Sequence, residues 1–342
     1  MHQRSSGVRL LVVFATCGAL FASAQAQSKV ATAAAQFLGI GVGPKAMAMG
    51  SAYVAMPNDV TALYWNPGSF AHAQKSQVSF SHTSWLVESK FRWGGVMINI
   101  DGQNAVGVSI THMDYGEDDV TTTSLPDGTG ERWTAGDMAI GLSYSRLLTD
   151  RFSLGASAKY IEQRIWNETA TTFAFDLGLL YITGFNDMRL GVAMTNFGGN
   201  LQLEGKDLLT RVDIDPNNSG SNKSVVGNLK TEPWPLPLFF RVGVAMDVVE
   251  TGGIRATVAA DAVRPNDANA SVNVGTEISW NDLLFLRGGY QSLFKSESQE
   301  TYSLGAGVKY TAEGFAGIEI NYAYNAFGIF GSINTIEVGI TF

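Results

Sequence analysis

The side chains that could do chemistry are few and badly matched to one another. Beyond the N-terminal apolar stretch the histidines are His72, His82 and His112, and no two stand at a metal-ligand spacing. No Gly-x-Ser-x-Gly turn is present, so a serine nucleophile would need a histidine delivered by the fold alone. Cys17 lies inside the apolar stretch, and once that segment is removed no disulfide, thiolate site or cysteine nucleophile remains. Asp213, Asp215, Asn217 and Asn218 begin like an oxygen-rich calcium loop. Its twelfth position is Ser224, where a bidentate Glu belongs, and a solvated polar loop is the better reading. Gly39, Gly41 and Gly43 lack the buried parallel strand that a phosphate cradle follows. These residues point to binding rather than catalysis: no catalytic residue, no metal and no cofactor is expected.

The remaining charges fall on one side of a period-two pattern, the repeat of a strand whose side chains point alternately to opposite faces. Phe240, Val242, Val244, Met246 and Val248 alternate with Arg241, Gly243, Ala245 and Asp247; Tyr302, Leu304, Ala306, Val308 and Tyr310 alternate with Ser303, Gly305, Gly307 and Lys309. The polar faces also hold Asp176, Arg255, Asp261, Glu277, Arg287, Glu319 and Glu337. Mixed signs on neighbouring strands predict salt-bridged packing of an interior rather than an open pore.

Strands that could carry these faces are readable near 76–86, 90–100, 103–113, 136–147, 151–163, 170–182, 187–198, 236–249, 252–264, 270–280, 283–292, 300–310, 313–324 and 332–342. Most have the length that a tilted strand needs to cross a bilayer. Connections after even-numbered strands are short, whereas those after odd-numbered strands include long ones near 114–135 and 199–235. That parity is the one expected of short periplasmic turns and long external loops, with both chain ends in the periplasm. The first hairpin, near Glu88-Ser89, is short where a loop is expected. Trp85, Trp166 and Trp280 fall at strand ends, as interfacial aromatic girdles require. The predicted fold is all-β: a transmembrane antiparallel β-barrel of about 14 strands over residues 76–342, with a short helical plug segment at its N-terminus.

Residues 1–26 read as a secretory signal peptide, with Arg4 and Arg9 before an apolar stretch and cleavage after Ala24 or Ala26. Removing those arginines takes the formal net charge from -8 to about -10, so the basic footprint of a nucleic-acid binder is missing. No later run of 18 apolar residues offers a helical span. Residues 27–75 do not alternate. Gly39, Gly41 and Gly43 lead into Pro44, which can open a helix running through Ala46, Met47, Ala48, Met49 and Ala52. Asp59 could then cap a turn before Trp65-Asn66-Pro67. This small-residue segment would lie in or under the barrel as a plug.

Phe37-Leu38-x-Ile40-Gly41-Val42-Gly43, Met49-Gly50-x-Ala52-Tyr53-Val54-Ala55, Asp59 and Ala62-x-Tyr64-Trp65-Asn66-Pro67 together resemble the N-terminal signature of the PorV/PorQ family. The likeness continues through Tyr115-Gly116-Glu117, Ala174-Phe175-Asp176-Leu177-Gly178, Asn196-Phe197-Gly198 and Leu286-Arg287-Gly288-Gly289-Tyr290. It departs at Pro44-Lys45, where Ala-Arg is expected, and at Gly68-Ser69, where Ala-Gly is expected. The resemblance implies an outer-membrane barrel of type IX secretion, similar to the long-chain fatty-acid transporter FadL. Its partners would be outer-membrane lipid and either secreted cargo or surface attachment-complex proteins. The alternative it implies is passive uptake of a hydrophobic small molecule, with Trp133, Leu201, Leu203, Leu208, Leu209 and Trp234 at the rim of an external pocket and a movable plug around Asn66-Pro67. Ile336, Val338, Ile340 and Phe342 alternate up to a terminal phenylalanine, which resembles the signal read by the outer-membrane assembly machinery.

Overall fold

The computed structural model describes residues 32–56, 59–215, 217, 224–295, 298–311 and 316–342. The signal-peptide reading, and Asn218 of the calcium-like loop, lie outside them. Fourteen strands form the wall: β1 (Gln77–Ser84), β2 (Lys90–Asn99), β3 (Asn104–Asp119), β4 (Arg132–Thr149), β5 (Phe152–Ile165), β6 (Glu168–Ile182), β7 (Arg189–Gly198), β8 (Phe239–Thr251), β9 (Ile254–Pro265), β10 (Ser271–Trp280), β11 (Leu284–Leu293), β12 (Glu300–Thr311), β13 (Gly317–Phe327) and β14 (Ser332–Thr341). Each pairs antiparallel with its sequence neighbours. The ring closes where β1 meets β14, from Gln77 opposite Thr341 to Ser84 opposite Asn334. Closure leaves no sheet edge in the hydrocarbon, where an unpaired backbone group would find no water.

The alternation is inverted relative to a soluble protein. On β14, Ile336 is 50% exposed and Val338 48%, while Thr335 and Glu337 between them are 1% and 3%. Apolar side chains therefore face outward to lipid and polar ones inward, on β8, β9 and β12 as well.

Three connections differ from the sequence reading. The β3–β4 hairpin continues past the membrane to Asp119 opposite Arg132, so the loop covers 120–131 rather than 114–135. Arg132 pairs with Glu117 and, at 3.3 Å, with Asp119, and a bulge between Asp114 and Glu117 turns the extension. Alternation of apolar and polar residues fades there because the extension has no lipid face. β5 and β6 are joined by Trp166 and Asn167 alone, with Ile165 opposite Glu168, making a second short external turn. The long connection after β7 is folded: Asn200–Leu201 pairs with Trp234–Pro235, and Leu209–Val212 with Val225–Asn228.

The N-terminal segment lies in the bore and not under it, because it touches the inner face of every strand. Val60 meets Gln77 of β1, Ala73 meets Asn99 of β2, and Leu63 packs on Gly107 of β3. The circuit continues through Ser145, Gly155, Leu179, Gly191, Gly243 and Asp261 on β4–β9. It ends through Gly275, Gly289, Ser303, Asn325 and Glu337 on β10–β14. The helix expected through Ala52 is shorter: α1 (Pro44–Ala48) stops where Gly50 and Ser51 take positive φ. A second short helix, α2 (Ala62–Trp65), follows Asp59, whose Oδ1 accepts the Thr61 amide at 2.8 Å.

Several inward glycines are sockets for this segment. A Cβ at Gly155 would collide with the Pro67 carbonyl, one at Gly275 with the Met49 carbonyl, and one at Gly289 with the Gly50 amide. Gly155→Ala is expected to destabilise seating of the segment by about 1–3 kcal/mol, the usual range for overpacking. The check is a fall in the temperature at which the detergent-solubilised barrel loses its compact electrophoretic mobility. Gly102→Ala, in the open turn between β2 and β3, tests instead the strain of its positive φ and should leave the seating unchanged.

Candidate functional site

The site is built on the segment that fills the bore. On one side, Lys45 of α1 places its ammonium 2.9 Å from Glu319 on β13 and 3.5 Å from Asp59. Tyr53 donates its hydroxyl to Asp59 at 2.5 Å. Below them Arg287 pairs with Glu277 at 2.6 Å and donates to Asn321, whose amide reaches Glu319 and Glu337 at 3.1 and 3.4 Å. Burial alone would lower the Lys45 ammonium, but Glu319, Asp59 and Glu337 outweigh it and hold the group above its ordinary value. Burial would likewise raise Asp59; Lys45 and the donors of Thr61 and Tyr53 more than offset it and hold the carboxyl below its ordinary value. Both groups are therefore charged at neutral pH, and the segment is tied to the wall by ions.

Opposite this network the ties are backbone bonds. Asp261 of β9 accepts the amides of Tyr53 and Val54 at 2.7 and 2.9 Å. Asn66 donates to the carbonyls of Val54 and Leu179 at 2.8 and 2.9 Å, and its oxygen accepts the Gly68 amide at 3.0 Å. Asn66, at the centre of the plug expected around Asn66-Pro67, is fully buried and every polar atom of its side chain is bonded.

Above the segment a cavity of about 580 Å³ opens at the external mouth. Gly39, Gly41, Met47, Ser51 and Trp65 form its floor, and Phe239, Arg241, Asn273, Gln291, Asn325 and Phe327 belong to its wall. The Arg241 guanidinium lies 4.5 Å from the Phe239 ring and 5.5 Å from Trp65, and donates to Thr195 at 2.9 Å. A second cavity of about 420 Å³ shares Gln36, Ile40 and Trp85 with the first and runs under the β1–β2 hairpin past Phe37, Leu86, Met113 and Tyr115. A hollow of about 600 Å³ among Leu148, Leu154, Leu177 and Leu179 lies on the lipid-facing wall and belongs to the bilayer contact.

Of the plug residues named from sequence, Gly41 and Trp65 floor the vestibule and Asp59 joins the ionic network. Met49 and Gly50 lie against β10 and β11, and Pro67 against β5; Gly43, at φ 79, approaches Glu337 of β14. None of the six external-loop residues lines the vestibule. Leu201 is buried beneath the loop, Leu203, Leu209 and Trp234 are exposed, and Trp133 and Leu208 are half-buried. Ile336, Val338, Ile340 and Phe342 are exposed on the outer face of the last strand and its end. Sequence reasoning set Arg241 on an inward face but missed its aromatic surroundings and the pairing of Lys45, because only the threaded segment and the barrel closure bring these groups together.

The fold does deliver a histidine to a serine: His72 Nε2 lies 3.0 Å from Ser153 Oγ. Ser153 is fully buried, and no acidic side chain among the described residues bonds His72. The pair pins the end of the segment to β5. Asp213 and Asp215 spend one oxygen each on the amides two residues on, at 3.1 and 3.2 Å.

A family model described as "Type IX secretion system protein PorV" matches residues 23–204. No curated protein matches. Among solved structures, a Pseudomonas aeruginosa FadL homologue is 12% identical, with 89% of this chain and 98% of that one covered and a TM-score of 0.53. The Ralstonia pickettii toluene transporter TbuX is 14% identical over 88% and 97%, with a TM-score of 0.53. The CymD monoaromatic hydrocarbon channel is 14% identical over 88% and 96%, with a TM-score of 0.57. At these identities the likeness is one of fold.

Lys45→Met would leave Asp59 and Glu319 facing each other without their cation. A loss of roughly 3–5 kcal/mol is expected, as for other broken buried pairs. Lys45→Arg, which can serve both carboxylates, should recover most of it; thermal melts of the two variants in one detergent check the contrast.

Proposed function

This chain belongs to the PorV family of type IX secretion system proteins, and we propose that it acts there as a non-enzymatic outer-membrane barrel whose external loops bind secreted cargo or surface attachment-complex subunits. The observation that carries this reading is the division of the molecule. Its wall is committed to lipid and its bore to the N-terminal segment, while the connection after β7 is long, folded and apolar at its surface. Leu203, Leu209, Ile214, Val226, Leu229 and Trp234 are all exposed there, apolar side chains of the kind that protein partners cover. Recognition on loops held by a rigid scaffold is the common arrangement.

Replacing 206–230 with a short Gly-Ser link keeps Leu201 and its pairing with Trp234. The barrel should assemble and keep its heat-modifiable mobility, while purified cargo and attachment-complex proteins no longer co-purify with it. Undiminished co-purification would sink the reading.

A second reading, passive uptake of a hydrophobic small molecule, is favoured by the two neighbouring cavities and by structural neighbours that carry toluene and monoaromatic hydrocarbons. On this reading native mass spectrometry finds one small hydrophobe per barrel, and Ile40→Trp, at a residue that lines both cavities, releases it. A barrel free of any such ligand in lipid nanodiscs, both as isolated and after incubation with toluene, leaves secretion alone.

A further inference from the structure

The outer of the two small sheets in the connection after β7 pairs Leu209–Val212 with Val225–Asn228 antiparallel, Leu209 opposite Asn228 and Arg211 opposite Val226. The Leu229 amide donates to the Leu208 carbonyl at 2.8 Å. Antiparallel bonding alternates, so 210 with 227 and 212 with 225 are the bonded pairs. Leu209 and Arg211 on one edge, and Val226 and Asn228 on the other, therefore turn their N–H and C=O groups away from the sheet. Among the described residues no strand pairs with either edge.

The two edges are not equivalent. Exposed edges are ordinarily guarded by charge, proline or a bulge. The first strand carries a charge, Arg211, whose guanidinium reaches across to the Ser224 hydroxyl at 3.1 Å. The second reads Val-Val-Gly-Asn, without charge, proline or register shift, and Val226 is 64% exposed. Two strands alone are marginal in water, and a third would complete them.

We propose that the Val225–Asn228 edge is a strand-docking site that takes an extended β-strand of a secreted type IX cargo protein. The occupant follows from complementarity. Outward N–H and C=O groups repeating every second residue along an extended edge match another extended backbone, while Val225 and Val226, on opposite faces, meet its alternate side chains. The inference rests on the reading that the external loops receive cargo.

The test uses the full-length barrel in lipid nanodiscs and, as probe, a purified cargo protein of the same organism. Val226→Pro removes an outward N–H and leaves the bonds of Val225 and Gly227 in place, since proline is tolerated where an edge amide faces solvent. Val226→Thr keeps both the backbone donor and the branched side chain. The proline variant should bind about tenfold more weakly, the effect of one lost hydrogen bond plus a blocked edge, with the threonine variant within about twofold of the native protein. Cargo should also slow amide exchange over 225–229, while exchange over 209–212 in the cargo-free proline variant stays native, which shows its hairpin intact. Equal weakening by proline and threonine would mean a side-chain contact and would overturn strand addition. Native binding by the proline variant, with binding lost on replacement of 206–230, would overturn it while leaving the loop reading standing. Binding retained after that replacement would remove both. Protection that appears without cargo and grows with barrel concentration would identify a second copy as the occupant and overturn the cargo assignment.

Discussion

A strand crossing hydrocarbon can satisfy its backbone only against other strands, so the sheet must close on itself; here β1 and β14 close it. That closure creates the next constraint. A ring of 14 strands encloses more space than its own inward side chains fill, since about eight strands is the size at which they suffice. The interior must be water, ligand or protein. The described residues from Ala34 to Ala73 take that space, and their burial, with Val42, Ala48, Val54, Phe70 and Asn66 all at 0% exposure, is that of a core.

Filling a polar bore with a chain segment requires that its backbone groups and the inward charges satisfy one another. Glycines on the wall let backbone meet backbone, as Gly68 meets Gly178. Where side chains remain, they are donors and acceptors matched to the segment: Asp261 to two amides, Ser303 to the Ala48 carbonyl and the Gly50 amide, Glu319 to the Lys45 ammonium. A buried ionic network adds little net stability over an apolar packing of the same volume. What it supplies is selectivity of seating, because a shift of one residue along the segment would strand Lys45 and Asp59 together.

The wall was legible in sequence because the bilayer imposes a strict period of two on every strand, as in Phe240–Val248. The same physics explains where reading failed. Beyond the membrane the β3–β4 hairpin has no lipid face, so Gly116 to Asp119 and Arg132 to Thr134 carry no alternation and looked like loop. Trp166-Asn167 was hidden between charged strand ends. The plug signature placed Gly41, Asp59 and Trp65 in one segment, but several bonds that seat that segment on the wall join residues more than 200 positions apart, such as Tyr53 with Asp261. No local pattern encodes such a pairing. The external apolar residues were picked out by type alone, and type does not separate Leu201, which anchors the loop, from Leu209, which is exposed.

The neighbours in fold carry small hydrophobes, and the difference between carrying them and binding proteins lies in what has to move. Passage through this bore would require Asn66 to give up its bond to Leu179 while Asp261 gave up two amides and Glu319 gave up Lys45, on β6, β9 and β13 at once. Each buried group left unpaired costs on the order of 1–3 kcal/mol, so the displaced state is rare unless a ligand repays several of them together. The vestibule stops at Trp65 and Met47 and offers such a ligand few of those partners. The external connection after β7 faces no comparable barrier. Its exposed strands can gain a partner without disturbing the bore, and that asymmetry favours recognition at the rim over transport through the bore.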